Sequence, residues 1–276
     1  MPICGVLGWP VRHSRSPAMH EAGYAALGLS DWRYQLLPVP PELFEETVRA
    51  LPGSGFVGAN VTIPHKEAAL ALADEATDSA RAIGAANTLT FLPGGRIHAD
   101  NTDAPGLIDA LPVAPEAATA VVLGAGGSAR AVVWALLDAG AADVQVWNRT
   151  RERAERLCAE IGGRVVDALP EQADLLVNTT SVGLQPDEDP FKALPLSADA
   201  LSGYPCLVDL VYGSGPTVLT SAAQAAGATV VDGLEILVRQ GARSFERWTG
   251  RAAPLEVLRT AARGEPAGDA AAEPAT

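Results

Sequence analysis

Short apolar runs alternate with segments of helical periodicity along most of the chain. The apolar runs predict strands at residues 3–11, 32–37, 56–64, 83–90, 97–103, 121–123, 143–147, 174–178, 207–212 and 230–231. The periodic segments predict helices at residues 18–26, 41–50, 67–74, 129–139, 153–161, 217–226 and 234–248. Strands that alternate with helices are typical of parallel sheets, so the pattern predicts an α/β fold.

Polar side chains stand at the ends of several predicted strands in the first half. Thr62 and Lys66 follow the third strand, Asn87 lies in the fourth, and the run at residues 100–103 reads Asp-Asn-Thr-Asp. Lys66 is also compatible with an ordinary solvated first turn of a helix. The polar run at residues 100–103 is also compatible with a turn whose side chains bond only to the backbone. Because open parallel sheets bind ligands beyond the carboxyl ends of their strands, the recurrence favours a binding site.

Two serines straddle the turn between the first strand and the first helix. Ser14 and Ser16 lie in the segment HSRSP at residues 13–17. One of them could act only as a helix N-cap. Together they offer two hydroxyls at the start of a helix, which suits a carboxylate.

A glycine turn at residues 119–130, TAVVLGAGGSAR, joins a buried strand to an alanine-rich helix. Gly124, Gly126 and Ala129 occupy the three small-residue positions of a dinucleotide-binding turn. The helix directs free N–H groups and a positive dipole end over the turn, as a diphosphate requires.

Basic residues follow the next strand, where an NAD site places an acidic residue. The segment reads Asn148, Arg149, Thr150 and Arg151, with Arg153 a turn later. Guanidinium groups match the oxygens of a 2′-phosphate, which favours NADP over NAD. A basic first turn of a solvated helix is the alternative, since glutamates lie nearby.

Composition narrows the classes of protein. The chain has 276 residues, enough for two domains, and a formal net charge of −13, which argues against a nucleic-acid partner. Its three scattered cysteines indicate neither disulfides nor a metal site, and point to a reducing compartment. We find neither an 18-residue apolar run nor a signal-peptide pattern, and therefore expect a cytoplasmic protein without a membrane partner.

The ordered motifs HSRSP, NVTIPHK, AANT, DNTD, GAGGSAR, NRT, NTTSVG, DLVYG and GLEILVRQGARSFERWTG cover residues 6–258. In this combination the chain resembles the shikimate dehydrogenases. The resemblance implies an NADP-dependent enzyme that reduces 3-dehydroshikimate to shikimate in chorismate and aromatic amino acid biosynthesis. It also implies two α/β domains: an open, mostly parallel substrate domain at residues 1–103 plus 238–264, and a Rossmann-type NADP domain at residues 104–237. We expect residues 265–276 to be disordered, and the protein to be a monomer or a homodimer.

The resemblance also implies roles for particular residues. Lys66 and Asp103 are similar to the family's catalytic pair. The substrate carboxylate and hydroxyls would be held by Ser14, Ser16, Thr62, Asn87, Tyr212 and Gln240. The cofactor would be bound by Gly124, Ala125, Gly126, Gly127, Ala129, Asn148, Arg149, Thr150, Arg153, Thr179, Ser181, Val182 and Gly233.

Two positions depart from the family pattern. Ile236 stands where many relatives have methionine, and Thr179 stands where alanine is common, so both could alter the surroundings of the nicotinamide. The alternatives are a quinate/shikimate dehydrogenase that uses NAD, a noncatalytic NADP-binding module, and a methyltransferase. The arginines and the paired serines disfavour the NAD-dependent quinate/shikimate dehydrogenase. The retained polar residues disfavour a noncatalytic module, and the basic cluster has no role in a methyltransferase.

Overall fold

In a computed structural model of the chain, residues 1–185, 188–213 and 215–264 are described. Within them the chain forms two six-stranded sheets. The first contains β1 (Ile3–Gly8), β2 (Arg33–Pro38), β3 (Gly58–Val61), β4 (Glu75–Ala76), β5 (Thr88–Phe91) and β6 (Ile97–Asp100). The second contains β7 (Thr119–Leu123), β8 (Asp143–Trp147), β9 (Arg164–Val165), β10 (Leu175–Asn178), β11 (Cys206–Asp209) and β12 (Thr229–Val231). The predicted disorder of residues 265–276 lies outside the described residues.

The first sheet is mixed, with the strand order β2-β1-β3-β5-β6-β4. β1 pairs in parallel with β2 and β3, whereas β5 runs antiparallel to β3 and to β6. A short turn at residues 93–95 joins β5 to β6, and without a crossover helix two paired strands must run in opposite directions. The predicted strand at 83–90 begins only at Thr88, because Ile83 is the last residue of a helix that is capped by Gly84.

The second sheet is entirely parallel, with the order β12-β11-β10-β7-β8-β9. The chain starts at the central β7, builds outward through β8 and β9, and then crosses to β10 on the other side. The carboxyl ends of β7 and β10 therefore flank the point where the direction of winding reverses, which is where such sheets bind nucleotides. β7 and β10 are buried on both faces almost throughout, as their apolar sequences require.

Helices cover both sheets and connect them. They are α1 (Ser16–Ala26), α2 (Phe44–Ala50), α3 (Lys66–Ala71), α4 (Asp78–Ile83), α5 (Asp103–Ala110), α6 (Gly127–Asp138), α7 (Arg151–Ile161), α8 (Pro190–Ala193), α9 (Val218–Ala225), α10 (Gly233–Thr249) and α11 (Leu255–Arg263). Among the described residues, none of these helices is both long and apolar enough to cross a membrane.

Helix α10 returns the chain from the second sheet to the first. Its start is capped by Asp232, whose side chain accepts from the backbone N–H of Glu235 at 2.9 Å. It packs against α5, and near its end Trp248 Nε1 donates to the Leu89 carbonyl at 3.1 Å. The predicted domain borders at 103/104 and 237/238 fall at the start of α5 and inside α10, and they stay predictions.

Candidate active site

A deep cleft lies between the two sheets, where β3, β10 and β11 end. It encloses about 970 Å³, part of it open to solvent. The predicted site residues that line it are Ser14, Ser16, Thr62, Lys66, Asn87, Asp103, Thr179, Ser181, Tyr212, Gly233 and Gln240. Residues that are far apart in sequence thus meet at the position where α/β proteins bind small molecules.

Lys66 and Asp103 form an ion pair inside this cleft. Lys66 is the first residue of α3 and is 8% exposed, and its Nζ donates to Asp103 Oδ2 at 2.6 Å. Asp103 is the first residue of α5, where a carboxylate is favoured by the helix dipole. A second bond joins Lys66 Nζ to Ser128 Oγ at 2.9 Å. An ammonium has three donors, so one donor of Lys66 is left to face the cleft.

Asn87 connects this pair to the rest of the site. Its side-chain Nδ2 donates to Asp103 Oδ1 at 2.7 Å and to Gln240 Oε1 at 3.1 Å. Its Oδ1 accepts from the backbone N–H of Thr102 at 2.7 Å. Each oxygen of the Asp103 carboxylate therefore has its own donor, which fixes the orientation of the carboxylate before any ligand arrives.

The two predicted serines lie side by side at the start of α1. The N-cap position of α1 is occupied by Arg15, whose side chain makes no capping bond. Ser16 is already the first residue of the helix, so it is not the N-cap. Ser14 does accept the Ser16 backbone N–H, at 3.3 Å. Burial raises the pKa of the nearby Tyr212, and hydrogen bonding from Ser14 opposes that shift only partly, so Tyr212 is a neutral phenol that can donate.

The glycine turn follows β7 and begins α6. Gly124 has φ +114°, which excludes other residues, and a Cβ there would lie 2.5 Å from Thr179 Oγ1. A Cβ on Gly126 would meet nothing within 4 Å, so the turn opens a cradle. The first turn of α6 has no side-chain cap, and its backbone N–H groups are available to an anion. Ala129 is fully buried against the core, as the motif requires.

Thr179 closes the base of this turn. Its hydroxyl donates to the Leu123 carbonyl at 2.7 Å. The hydroxyl group that alanine would lack at this position is therefore bonded to the backbone of β7. Ile236, the other departure from the family pattern, is 6% exposed and lines the cleft as an apolar wall.

A second cleft of about 920 Å³ adjoins the glycine turn. Ala125, Gly126, Gly127 and Arg153 line it, together with Arg156, which was not among the predicted site residues. Arg149 and Arg153 are exposed. Arg151, by contrast, pairs with Glu155 and Asp167.

Four predicted cofactor residues outside the glycine turn line neither of these two clefts: Asn148, Arg149, Thr150 and Val182. Asn148 Nδ2 donates to the Thr150 carbonyl at 2.7 Å and so shapes the loop after β8. Val182 packs against the core beside β10 and β11.

Two polar residues of α6 contact the first half of the chain and were not predicted. Ser128 contacts Lys66, as described above. Arg130 Nε donates to the Ile83 carbonyl at 2.6 Å, and its guanidinium also pairs with Glu160 at 2.6 Å. Both contacts depend on how the two sheets face each other, and sequence spacing carries no signal for that.

The strand order of the second sheet, with a glycine turn at its point of reversal, defines a Rossmann-type dinucleotide-binding protein with a second α/β unit. Family models match residues 6–89 (shikimate dehydrogenase substrate binding domain), 111–182 (shikimate/quinate 5-dehydrogenase) and 233–263 (shikimate 5′-dehydrogenase C-terminal domain). The chain belongs to the shikimate dehydrogenase family.

Individual relatives agree with this assignment. The shikimate dehydrogenase (NADP(+)) of Paracoccus denitrificans is 48% identical over 262 residues, which are 91% of each chain. A crystal structure of shikimate 5-dehydrogenase from Thermus thermophilus, in complex with NADP(H) and shikimate, has a TM-score of 0.84 at 41% identity and covers 96% of this chain and 99% of its own. The ligand-free 5-ketofructose reductase of a Gluconobacter species has a TM-score of 0.81 at 32% identity, over 95% of this chain and 98% of its own.

Proposed function

We propose that this chain is an NADP-dependent shikimate dehydrogenase that reversibly reduces 3-dehydroshikimate to shikimate, a step of chorismate and aromatic amino acid biosynthesis. The observation that carries the proposal is the position of the Lys66–Asp103 pair, in one cleft with the paired serines and beside the glycine turn. The names of the relatives support the same substrate and cofactor.

The substrate carboxylate is bound at the start of α1. Ser14 and Ser16 offer two hydroxyls at the positive end of an eleven-residue helix, and the neutral phenol of Tyr212 adds a third donor. Thr62, Asn87, Asp103 and Gln240 hold the ring hydroxyls from the opposite wall. With its carboxylate and hydroxyls held at two ends, the ring has one orientation in which its ketone meets Lys66.

The residues beside the glycine turn fit a dinucleotide phosphate. The cradle at Gly126 and the free N–H groups of α6 suit the diphosphate, and the exposed Arg149 and Arg153 suit a 2′-phosphate. When bound, NADPH supplies the hydride, and the protein supplies orientation and proton transfer. Ile236 contributes an apolar wall to the cleft.

Lys66 handles the proton. In the reducing direction its ammonium donates a proton to the ketone oxygen and stabilises the negative charge that develops there. In the oxidising direction neutral Lys66 takes the proton from the hydroxyl. Asp103, held by Asn87, keeps Nζ in place throughout.

Initial rates with shikimate and quinate, each with NADP⁺ and NAD⁺, and with 5-ketofructose and NADPH, test the proposal. A rate confined to shikimate with NADP⁺ is expected. Comparable rates with quinate or NAD⁺ would make the enzyme a broader relative, and reduction of 5-ketofructose alone would assign it the activity of the Gluconobacter neighbour. Absence of any rate would favour the noncatalytic NADP-binding module.

We also propose that the enzyme is cytoplasmic and that it is a monomer or a homodimer. Size-exclusion chromatography with light scattering distinguishes the two states, and fractionation of cells tests the location.

A further inference from the structure

Lys66 makes one contact that the reaction outlined above does not use. Its Nζ lies 2.9 Å from the hydroxyl of Ser128, a residue 62 positions further along and on the other sheet's first helix. Ser128 is the second residue of α6, directly after the glycine that starts the helix. The hydroxyl is half-buried and lines the same cleft as Lys66 and Asp103.

The glycine turn also packs directly against the stem of this lysine. A Cβ built on Gly127 would lie 2.9 Å from Lys66 Cβ and 3.3 Å from its Cδ. Only a residue without a side chain lets the two halves of the molecule approach this closely. Gly127 and Ser128 together therefore contact Lys66 along its length, Gly127 at the aliphatic stem and Ser128 at the charged end.

The charges around Lys66 explain what its contact with Ser128 does. The start of α6 carries the positive end of a twelve-residue helix dipole, which is unfavourable for a neighbouring ammonium. A hydroxyl oxygen placed between the helix and the ammonium accepts one of its protons and offsets that repulsion. The Asp103 carboxylate accepts a second proton of the ammonium, at 2.6 Å.

We propose that Ser128 is a positioning residue for Lys66. Its hydroxyl and the Asp103 carboxylate hold two donors of the ammonium, so the third donor points to the ketone oxygen. Because Ser128 belongs to the cofactor-binding half, the proton donor is fully positioned only when the two halves are together. The inference rests on the proposed function, since it assigns to Lys66 the proton transfer that Ser128 serves.

The variants Ser128→Ala and Ser128→Thr test this role, with Ser202→Ala, an exposed serine outside the cleft, as control. We expect Ser128→Ala to lower kcat for 3-dehydroshikimate reduction about 5- to 20-fold with little change in KM, because one hydrogen bond to a charged group is lost. The pH at which kcat is half-maximal should fall, since the ammonium has lost an acceptor. Ser128→Thr keeps the hydroxyl and should restore both values.

A second measurement follows the lysine itself. The chain has only two lysines, so acetylation of Lys66 can be compared by mass spectrometry with acetylation of the exposed Lys192 in the same sample. We expect Ser128→Ala to raise the ratio of Lys66 to Lys192 labelling several-fold and Ser128→Thr to leave it unchanged.

The outcomes separate the two proposals. An active wild-type enzyme whose Ser128→Ala variant keeps its kcat, pH profile and labelling ratio overturns the role of Ser128 and leaves the proposed function intact. The role of Ser128 is also overturned if kcat falls in Ser128→Ala, the pH profile does not change, and Ser128→Thr does not restore kcat. If Ser128→Ala does not fold, Ser128→Cys, which has only a weak acceptor, takes its place with the same expectations. A wild-type chain without activity on shikimate contradicts the proposed function instead.

Discussion

The hydroxyl of Ser14 donates a hydrogen bond to Oγ of Ser16 across 3.2 Å. Ser16 is only 3% exposed, and its backbone N–H donates to Ser14 Oγ, so the pair is held together in the absence of any ligand. Preorganised donors lose little conformational freedom when a ligand binds. The pair is therefore well suited to fix one end of the substrate.

Replacement of Ser16 by alanine tests this arrangement. We expect Ser16→Ala to raise KM for shikimate about 10- to 100-fold, because it removes a hydrogen bond to a charged group. KM for NADP⁺ should stay the same, since neither serine lines the cleft beside Ala125, Gly126 and Gly127. Steady-state kinetics with each substrate varied in turn measures both values. The exposed Ser54→Ala is the matched control; an unchanged KM for shikimate in Ser16→Ala would show that Ser16 only shapes the turn.

Removal of the proton donor should affect turnover more than binding. We expect Lys66→Met, which keeps the length of the side chain without its charge, to lower kcat about 10²- to 10⁴-fold. The Asp103 carboxylate loses its ion pair, so circular dichroism must show that the variant is folded. Lys192→Ala, which removes the only other lysine of the chain, should leave kcat unchanged. A Lys66→Met enzyme with normal kcat at saturating substrate would contradict the assignment.

The three arginines after β8 are expected to differ in their effect on the cofactor. Arg149→Ala and Arg153→Ala should each raise KM for NADPH about 10- to 100-fold with little effect on NADH, because each removes a charged donor from a 2′-phosphate. Arg151→Ala is the matched control, since this arginine is already paired with Glu155 and Asp167. Equal changes for NADPH and NADH would indicate that the arginines act only on the fold of the loop.

Local features of the molecule could be predicted from sequence, and relationships between distant segments could not. The glycine turn is encoded by the spacing of Gly124, Gly126 and Ala129, which are neighbours along the chain. The bond from Asn87 to Gln240 joins residues 153 positions apart, and only the resemblance to a family placed them in one site. A strand was predicted where β5 lies, but its antiparallel direction was not, because apolar periodicity does not record strand direction.

The burial of one histidine could not be predicted from the sequence either. His20 is fully buried in α1, and its ring stacks on Tyr34 with centroids 4.3 Å apart. Among the described residues neither ring nitrogen has a hydrogen-bond partner. Burial lowers the pKa of His20 from 6.5 to about 3, so the folded protein holds the neutral ring.

This histidine should make the fold sensitive to acid. Below pH 6.5 the unfolded chain binds a proton at His20 that the folded chain does not bind, so stability falls as the pH drops from 6.5 towards 3. From pH 7.5 to pH 5, this one group should cost about 2 kcal/mol of unfolding free energy. We expect His20→Phe, which keeps an aromatic ring against Tyr34, to lose about 2 kcal/mol less than the wild type over that interval. Urea unfolding at both pH values measures the difference; equal losses in the two proteins would mean that His20 is protonated in the folded state.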